Sequence, residues 1–126
     1  MLHLDVEPRV GYLYVTASGA LDVAGAEAAL AGMFAAAAQA RQSRILLDCS
    51  RLAGTWGPDE RYVIGSFIAA EMERRASQFR ERPRLAIYAV APLMDPNRYT
   101  QIVATNRGAQ VRASDSLQEL LSWLGV

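Results

Sequence analysis

Lysine is absent from this chain of 126 residues, and all its basic residues other than His3 are arginine. Without lysine the chain lacks the amine that forms a Schiff base and a phosphate-binding loop ending in Gly-Lys-Ser/Thr. The chain also has one histidine and one cysteine, Cys49. It therefore has no histidine cluster for a metal and no convincing Ser-His-Asp or Cys-His pair. We expect that the chain is not an enzyme and binds neither a metal ion nor a cofactor.

The single cysteine excludes an intramolecular disulfide, which suits a reducing compartment. The first residues show no basic segment followed by a continuous apolar run, so no export signal is visible. The alanine-rich stretch 23–40 is interrupted by Glu27 and Gln39. That composition favours a helix in water over a membrane span. We expect a cytoplasmic protein with no integral membrane association.

A net charge is also lacking, because thirteen arginines balance thirteen acidic residues. Without a positive field, nucleic acid and anionic membranes are not expected partners. Apolar residues make up 52% of the sequence. This content excludes a disordered chain and, at this length, predicts one hydrophobic core. We therefore predict a single domain over residues 1–126.

Alternating apolar residues predict two strands at the start of the sequence. Leu2, Leu4 and Val6 alternate with polar residues, and the pattern returns from residue 13 to residue 17. The turn between them, residues 8–11, is too short for a crossover, so the strands should be antiparallel. Residues 44–49 lack this alternation, which is typical of a central strand covered on both faces.

Helix signals separate the later strands, which are expected at residues 85–90 and around residue 111. The helices are expected over residues 23–40, from 58 to about 79, over 96–107 and up to about 124. The resulting order, β-β-α-β-α-β-α-β-α, predicts an α/β fold with one mixed sheet that is parallel over its later part. The expected capping or first residues are Asp22, Pro58, Asp95 with Pro96, and Ser116 with Glu119 as a capping box.

This order, with ILLDCSRLAG at residues 45–54, ATNRGAQVR at 104–112 and LQELLSWLG at 117–125, resembles the SpoIIAA-like family of the STAS superfamily. The resemblance covers nearly the whole chain. It implies a bacterial α/β domain of STAS/SEC14-like type, similar both to anti-sigma factor antagonists and to the SEC14 lipid-transfer fold.

The resemblance also implies where a regulatory serine would lie. In anti-sigma antagonists a partner kinase phosphorylates a serine in an Asp-Ser-Ser-Gly-like run, and the added charge alters docking. Here the corresponding residues 54–59 read Gly-Thr-Trp-Gly-Pro-Asp. Ser50 and Thr55 are the nearest hydroxyls, and neither falls at the expected place. We expect the phosphoacceptor serine to be missing.

Ligands of open α/β sheets bind outside the carboxyl ends of parallel strands. Polar residues after the central strand should meet at this edge, on loops held by a rigid scaffold. For Asp48 and Ser50, hydrogen bonding to nearby backbone is the simpler interpretation. Trp56 has three interpretations: a lid on the core, a dimer contact, or a pocket wall. The candidate interaction rim is Asp48, Ser50, Arg51, Thr55, Trp56 and Asp59.

Two hypotheses of function follow. The resemblance implies a non-enzymatic regulatory module that binds a protein partner through this rim, with a homodimer as one candidate assembly. The alternative is a SEC14-like carrier of a small apolar ligand or lipid, although an ordinary core explains the same side chains. The candidate apolar pocket for this second hypothesis is Tyr62, Phe67, Tyr88, Met94 and Tyr99.

Overall fold

The computed structural model describes residues 2–126 and confirms the predicted order of elements. A single sheet carries helices on both faces, as the alternation of strands and helices predicts. The strands are β1 (His3–Arg9), β2 (Tyr12–Ala20), β3 (Arg44–Ala53), β4 (Arg84–Tyr88) and β5 (Gln110–Ser114), and the helices are α1 (Val23–Gln39), α2 (Pro58–Arg74), α3 (Tyr99–Asn106) and α4 (Leu117–Leu124).

The five strands lie in the order β1-β2-β3-β4-β5, with β1 antiparallel to β2 and the other pairs parallel. Successive side chains of a strand point to opposite faces. Ile45 and Leu47 of β3 therefore join the larger core under α1, α2 and α3, while Leu46 joins the smaller core under α4. All three are buried. The prediction of a central strand covered on both faces is confirmed.

β3 is longer than the predicted strand over residues 44–49. The register of β2 against β3 shifts between Thr16 and Ser18, after which Ser18 pairs with Arg51 and Ala20 with Ala53. Such a shift accommodates an extra residue without ending the strand. The first half of the predicted rim is therefore part of the sheet, and the turn begins at Gly54.

Two helices are shorter than predicted. α2 ends at Arg74, not near residue 79, and is followed by one 3₁₀ turn at Ala76–Gln78. α3 begins at Tyr99, not at residue 96, because Arg98 has a left-handed backbone conformation (φ 50°) that a right-handed helix cannot include. Asp95 still serves this helix, since its carboxylate accepts a hydrogen bond from the Tyr99 amide at 3.2 Å.

The predicted caps differ in how completely they form. Asp22 accepts a hydrogen bond from the Gly25 amide at 2.6 Å, as expected for the cap of α1. The Ser116 hydroxyl accepts one from the Glu119 amide at 3.2 Å. The Glu119 carboxylate, however, accepts from Ser114 and not from the Ser116 amide. Only half of the predicted capping box therefore forms.

Gly65 allows α2 and α3 to approach closely. A methyl group at this position would lie 2.8 Å from the Thr100 carbonyl oxygen and 2.9 Å from Val103 Cβ. Both distances are shorter than a carbon atom tolerates, and one involves backbone that cannot rotate away. Gly32, in the interior of α1, has no neighbouring atom within 4 Å of the same position. The two glycines thus differ in packing while both lie inside helices.

We expect Gly65→Ala to lower the free energy of unfolding by about 1–3 kcal/mol, because the methyl group overpacks the contact between α2 and α3. The matched control, Gly32→Ala, should raise it by about 0.5–1 kcal/mol, since alanine loses less entropy than glycine in a helix. Urea denaturation measures both changes. A rise in stability for both variants would contradict the close approach.

Candidate functional site

The turn after β3 and the loop after β4 lie together at the carboxyl edge of the sheet. The Thr55 hydroxyl donates a hydrogen bond to the Pro92 carbonyl oxygen at 3.0 Å. This contact joins two segments that are 37 residues apart in the sequence. The edge is the place where open α/β sheets bind ligands.

Arg61, in the first turn of α2, links these segments from below. Its side chain is only 9% exposed, and its Nη1 lies 2.7 Å from the Leu93 carbonyl oxygen and 3.2 Å from Asp95 Oδ1. Its Nη2 donates to the Pro92 carbonyl oxygen and the Thr55 hydroxyl, each at 3.4 Å. A buried guanidinium needs a countercharge and partners for its N–H groups. Here both are supplied by the two segments that it joins.

Arg61 was not among the residues predicted from the sequence, although the sequence contains a signal for it. Arg61 precedes Ile64 by three residues and Ile68 by seven. These spacings place it on the apolar stripe of α2 that faces the sheet. A charged residue on such a stripe is buried with partners or reaches out to water. Its ion-pair partner, Asp95, was predicted from the sequence only as a helix cap.

An apolar cavity of about 100 Å³ lies under this corner, between the sheet, α1 and α2. Trp56 and Leu93 contribute from the two joined segments, and Cys49 from β3. Charged side chains also line it, namely Arg61, Asp95 and Arg98. The main apolar lining residues are Leu4, Leu30, Leu47, Cys49, Leu52, Trp56, Ile64, Ile68, Ile87, Leu93 and Met94.

Of the five residues predicted to surround an apolar pocket, the structure places only Met94 there. Tyr88 lies on the opposite face of the sheet, because it alternates with the inward-facing residues of β4. Tyr62 and Tyr99 are 46% and 36% exposed on α2 and α3. Phe67 is half-buried and packs against the larger core without lining the cavity. Aliphatic side chains, mainly leucine, isoleucine and alanine, form most of the cavity wall.

The six residues of the predicted rim fall into three places. Thr55 and Trp56 lie at the corner, and Trp56 lines the cavity. Asp59 is exposed beside it in the first turn of α2, whereas Arg51, which precedes the cavity-lining Leu52 in β3, is exposed on the opposite face of the sheet, near Asp48. The two other residues, Asp48 and Ser50, make hydrogen bonds away from the cavity.

Asp48 and Ser50 form a hydrogen-bonded cluster with Tyr14. Asp48 accepts from the Ser50 hydroxyl at 2.6 Å, from the Ser50 amide at 2.9 Å and from the Tyr14 hydroxyl at 2.6 Å. Burial raises the pKa of Asp48, but the hydrogen bonds from Ser50 and Tyr14 outweigh it and hold the pKa below its ordinary value of 3.8. Burial and the same carboxylate raise the pKa of Tyr14 to about 12. The cluster therefore holds β3 where its register against β2 shifts.

Cys49 occupies the wall of the cavity as a protonated thiol. Its side chain is buried, and burial together with the neighbouring Asp48 charge raises its pKa to about 12. The thiolate is the reactive form of cysteine. Cys49 therefore contributes an apolar surface to the cavity.

Within residues 2–126, no group of three or more His, Cys, Asp and Glu side chains has a geometry that could hold a metal ion. Over the same range, every helix is too short or too polar to cross a membrane.

Two solved structures share this architecture along almost the whole chain. A crystal structure of an anti-sigma factor antagonist from Mycobacterium paratuberculosis has a TM-score of 0.65 and 17% identity, over 100% of this chain and 96% of that one. An uncharacterised protein of the DUF3478 family with a SpoIIAA-like fold, from Shewanella loihica PV-4, has a TM-score of 0.53 and 16% identity, over 98% and 93% of the two chains.

The chain has the SpoIIAA-like fold. The resemblance inferred from the sequence is thereby confirmed at the level of the fold, and identities this low carry it no further. No protein-family model and no curated protein sequence matches the chain. In this SpoIIAA-like domain, Arg61 and the cavity lie where β3 leads into α2, the same corner to which the sequence analysis assigned the rim.

Replacing Arg61 should loosen the corner. We expect Arg61→Met to lower the free energy of unfolding by about 3 kcal/mol, the lower end for a broken buried ion pair, because Asp95 keeps some contact with water. The control is Arg80→Met, since Arg80 is exposed. It should change stability by less than about 0.5 kcal/mol. Chemical denaturation measures both variants, and equal effects would contradict the role of Arg61.

The Asp48 cluster predicts a pH dependence of stability. Because the folded pKa lies below the unfolded one, the carboxylate stabilises the fold above pH 3.8, and this contribution is lost as the pH falls through the folded pKa. Asp48→Asn should therefore cost about 1–3 kcal/mol at pH 7 and progressively less below pH 3.8. Denaturation across this pH range measures the difference. The exposed Asp115→Asn is the control, and a cost that does not change with pH would refute the prediction.

Proposed function

We propose that this chain is a non-enzymatic regulatory module that binds a protein partner at the corner where β3 leads into α2. We call the exposed side of this corner the docking rim, and it consists of Thr55, Trp56 and Asp59. An antagonist of an anti-sigma factor, which by its name opposes another protein, has the same fold. A second copy of this chain is also a candidate partner.

The observation that carries the proposal is the fixation of the rim by Arg61. Its guanidinium reaches the Thr55 hydroxyl and the loop after β4, so the turn is held before any partner arrives. A surface that is already ordered loses less conformational entropy on binding. The exposed residues Thr55 and Asp59 give this surface a hydroxyl group and a negative charge. Such a surface suits a polar protein partner.

We further propose that docking here does not depend on phosphorylation of a serine. Pro58 is the first residue of α2 and Gly57 caps it, so neither offers a hydroxyl. The Glu60 carboxylate accepts a hydrogen bond from the Gly57 amide at 2.8 Å. A carboxylate therefore already occupies the helix end that favours negative charge. The nearest hydroxyls, on Ser50 and Thr55, are engaged with Asp48 and Pro92.

The absence of catalysis is part of the same proposal. The carboxylate with a shifted pKa nearest the corner is Asp48, and its oxygens bond Ser50 and Tyr14 away from the cavity. Cys49, which does line the cavity, is held as a thiol. Asp95, also at the cavity, is paired with Arg61. The groups near the pocket thus serve structure, which supports a binding module.

Charge reversal tests the docking rim with a matched control. Asp59 and Glu73 are both exposed acidic residues of α2, one at the rim and one at the other end of the helix. Partner proteins are first captured from the native lysate by the wild-type chain. Their apparent affinity for the Asp59→Arg variant should be at least tenfold lower than for the wild type, because reversing a rim charge opposes docking. They should bind Glu73→Arg within about twofold of wild type.

If the partner binds the wild type, Asp59→Arg and Glu73→Arg equally well, the interface lies elsewhere on the molecule and the docking rim is wrong. Capture of nothing, together with a monomer in light scattering, would overturn the proposal that the chain binds a protein. Capture only of the chain itself, with the same loss for Asp59→Arg, would identify the second copy as the partner.

A second function is favoured by the cavity itself. We propose, as the alternative, that the chain is a SEC14-like carrier with a small cavity, which binds a small apolar ligand. A volume of about 100 Å³ excludes a lipid with long acyl chains. It is comparable with an engineered cavity of roughly 150 Å³ that binds benzene. Binding of benzene, seen as NMR shifts confined to the lining residues, tests this alternative.

A further inference from the structure

The charged residues are not spread evenly over the molecule. Strands β2–β5 begin at one edge of the sheet, which we call the amino edge, and end at the carboxyl edge. Residues 7–14, 39–46, 71–86 and 105–111, at the amino edge, contain nine of the thirteen arginines and four of the thirteen acidic residues. The rest of the chain holds four arginines and nine acidic residues. A net charge of zero therefore conceals an excess of five positive charges in the first set and of five negative charges in the second.

Most arginines at the amino edge lack a countercharge. Within residues 2–126, six of the nine have no carboxylate oxygen within 4.0 Å, while the other three pair with Glu7 or Glu71. Arg82 and Arg107 donate hydrogen bonds to a backbone carbonyl and to a tyrosine hydroxyl, which carry no charge. We call these six residues the arginine edge: Arg41, Arg44, Arg80, Arg82, Arg84 and Arg107.

Two of these guanidinium groups lie side by side. Arg44 and Arg84 begin the neighbouring strands β3 and β4, where they pair in register and so point to the same face of the sheet. Both are half-buried. Like charges that face each other across neighbouring strands destabilise a sheet. The pair therefore favours a carboxylate supplied from outside the chain.

Helix ends account for only part of this charge. Cations stabilise the last turn of a helix, and the effect falls off beyond that turn. The last turns of α1, α3 and α4 contain no basic residue, and that of α2 contains Arg74, which Glu71 neutralises. In the arginine edge, Arg41 and Arg107 lie within two residues of a helix end. The other four belong to strands or to the loop before β4: Arg44, Arg80, Arg82 and Arg84.

The carboxyl edge carries the matching charges. Asp22, Asp59 and Asp115 lie there, at or just before the start of α1, α2 and α4, and all three are exposed. Within residues 2–126 none of them has an arginine at ion-pair distance. β3 alone, with ten residues, separates the two edges by about 30 Å. One chain therefore presents two complementary surfaces that cannot meet within the same molecule.

We infer that the docking rim receives the arginine edge of a second copy of this chain. Complementary charges steer association and set which surfaces meet. The two surfaces differ, so a copy that docks by its arginine edge leaves its own docking rim free, and the contact repeats head to tail as a ring or an open chain. This inference rests on the proposed function, because it names the partner of the docking rim.

Sedimentation of the wild-type chain at two salt concentrations is the first test. In about 20 mM NaCl the mean mass should rise with protein concentration, and in about 0.5 M NaCl it should return toward that of one chain, because salt screens exposed charges. The mass of one chain is 13.7 kDa. This measurement needs no variant, so it decides the matter even if a variant fails to fold.

Two double variants each disable one surface. Arg41→Glu with Arg80→Glu reverses exposed charges of the arginine edge, and Asp59→Arg with Asp115→Arg reverses exposed charges of the carboxyl edge. Each alone should associate with itself at least about tenfold more weakly than the wild type, because like charges then oppose the contact. Mixed together, they should form a dimer with one copy of each, since each supplies the surface that the other lacks.

A third variant controls for attraction by net charge alone. It adds Arg41→Gln and Arg80→Gln to the Asp59→Arg, Asp115→Arg variant, which keeps a positive net charge but weakens its arginine edge. It should bind the Arg41→Glu, Arg80→Glu variant about tenfold more weakly than the unmodified pair of variants binds, since two interfacial charges are lost.

A wild-type chain that stays a monomer at low salt while its docking rim captures another protein would overturn this inference and leave the proposed function standing. A monomer that captures nothing would overturn both. Association that ignores salt, or that is equal in all variants, would also refute the charged contact. Binding of a DNA duplex by the arginine edge of a monomeric chain would assign this edge to nucleic acid and equally overturn the inference.

Discussion

The buried guanidinium of Arg61 is the constraint on which this corner of the molecule depends. It takes a charge out of water, which is costly unless a countercharge and hydrogen-bond acceptors meet it. Asp95 and the backbone carbonyl of Leu93 meet it from the loop after β4, and Thr55 meets it from the turn after β3. Neither segment can shift without leaving part of the guanidinium unpaired. The turn and the loop are therefore held as one unit.

Helix α2 brings this unit to the sheet. Ile64 and Ile68 pack on the larger core, while Gly65 on the neighbouring surface lets α3 approach. The helix thus fixes the position of α3, and with it the position of Arg98 at the start of α3. One short stretch of α2 therefore determines both the docking rim above the corner and the cavity beneath it. Trp56 belongs to both, because it follows Thr55 in the turn and also lines the cavity.

The order of elements could be predicted because local patterns in the chain agree with the tertiary structure. Alternation marks β1 and β2, an unbroken apolar run marks β3, and Asp22 and Ser116 cap helices that also have apolar stripes. Boundaries depended on contacts that no local pattern contains. β3 continues beyond Cys49 because β2 shifts register beside it, and α3 starts at Tyr99 because Arg98 before it has a left-handed backbone conformation.

The candidate site was predicted less completely for a similar reason. Its location followed from the strand order, whereas the partners of each side chain depend on the loop after β4, whose path is set by tertiary contacts. Aromatic residues suggested the cavity, yet Tyr88 alternates with Ile87 and so belongs to the other face. This alternation of side chains along β4 could have been read from the sequence. The cavity wall consists mainly of leucine, isoleucine and alanine, which the sequence does not distinguish from an ordinary core.

Native-state hydrogen exchange of the wild-type chain and Arg61→Met shows whether Arg61 joins the turn and the loop, since it reports the opening of each segment separately. Amides of residues 54–57 and 92–99 should exchange faster together in the variant, while amides that open locally away from the corner, at the ends of the edge strand β1, should keep their protection. Faster exchange in only one of the two segments, or an equal change along the whole chain, would contradict the claim that Arg61 joins them.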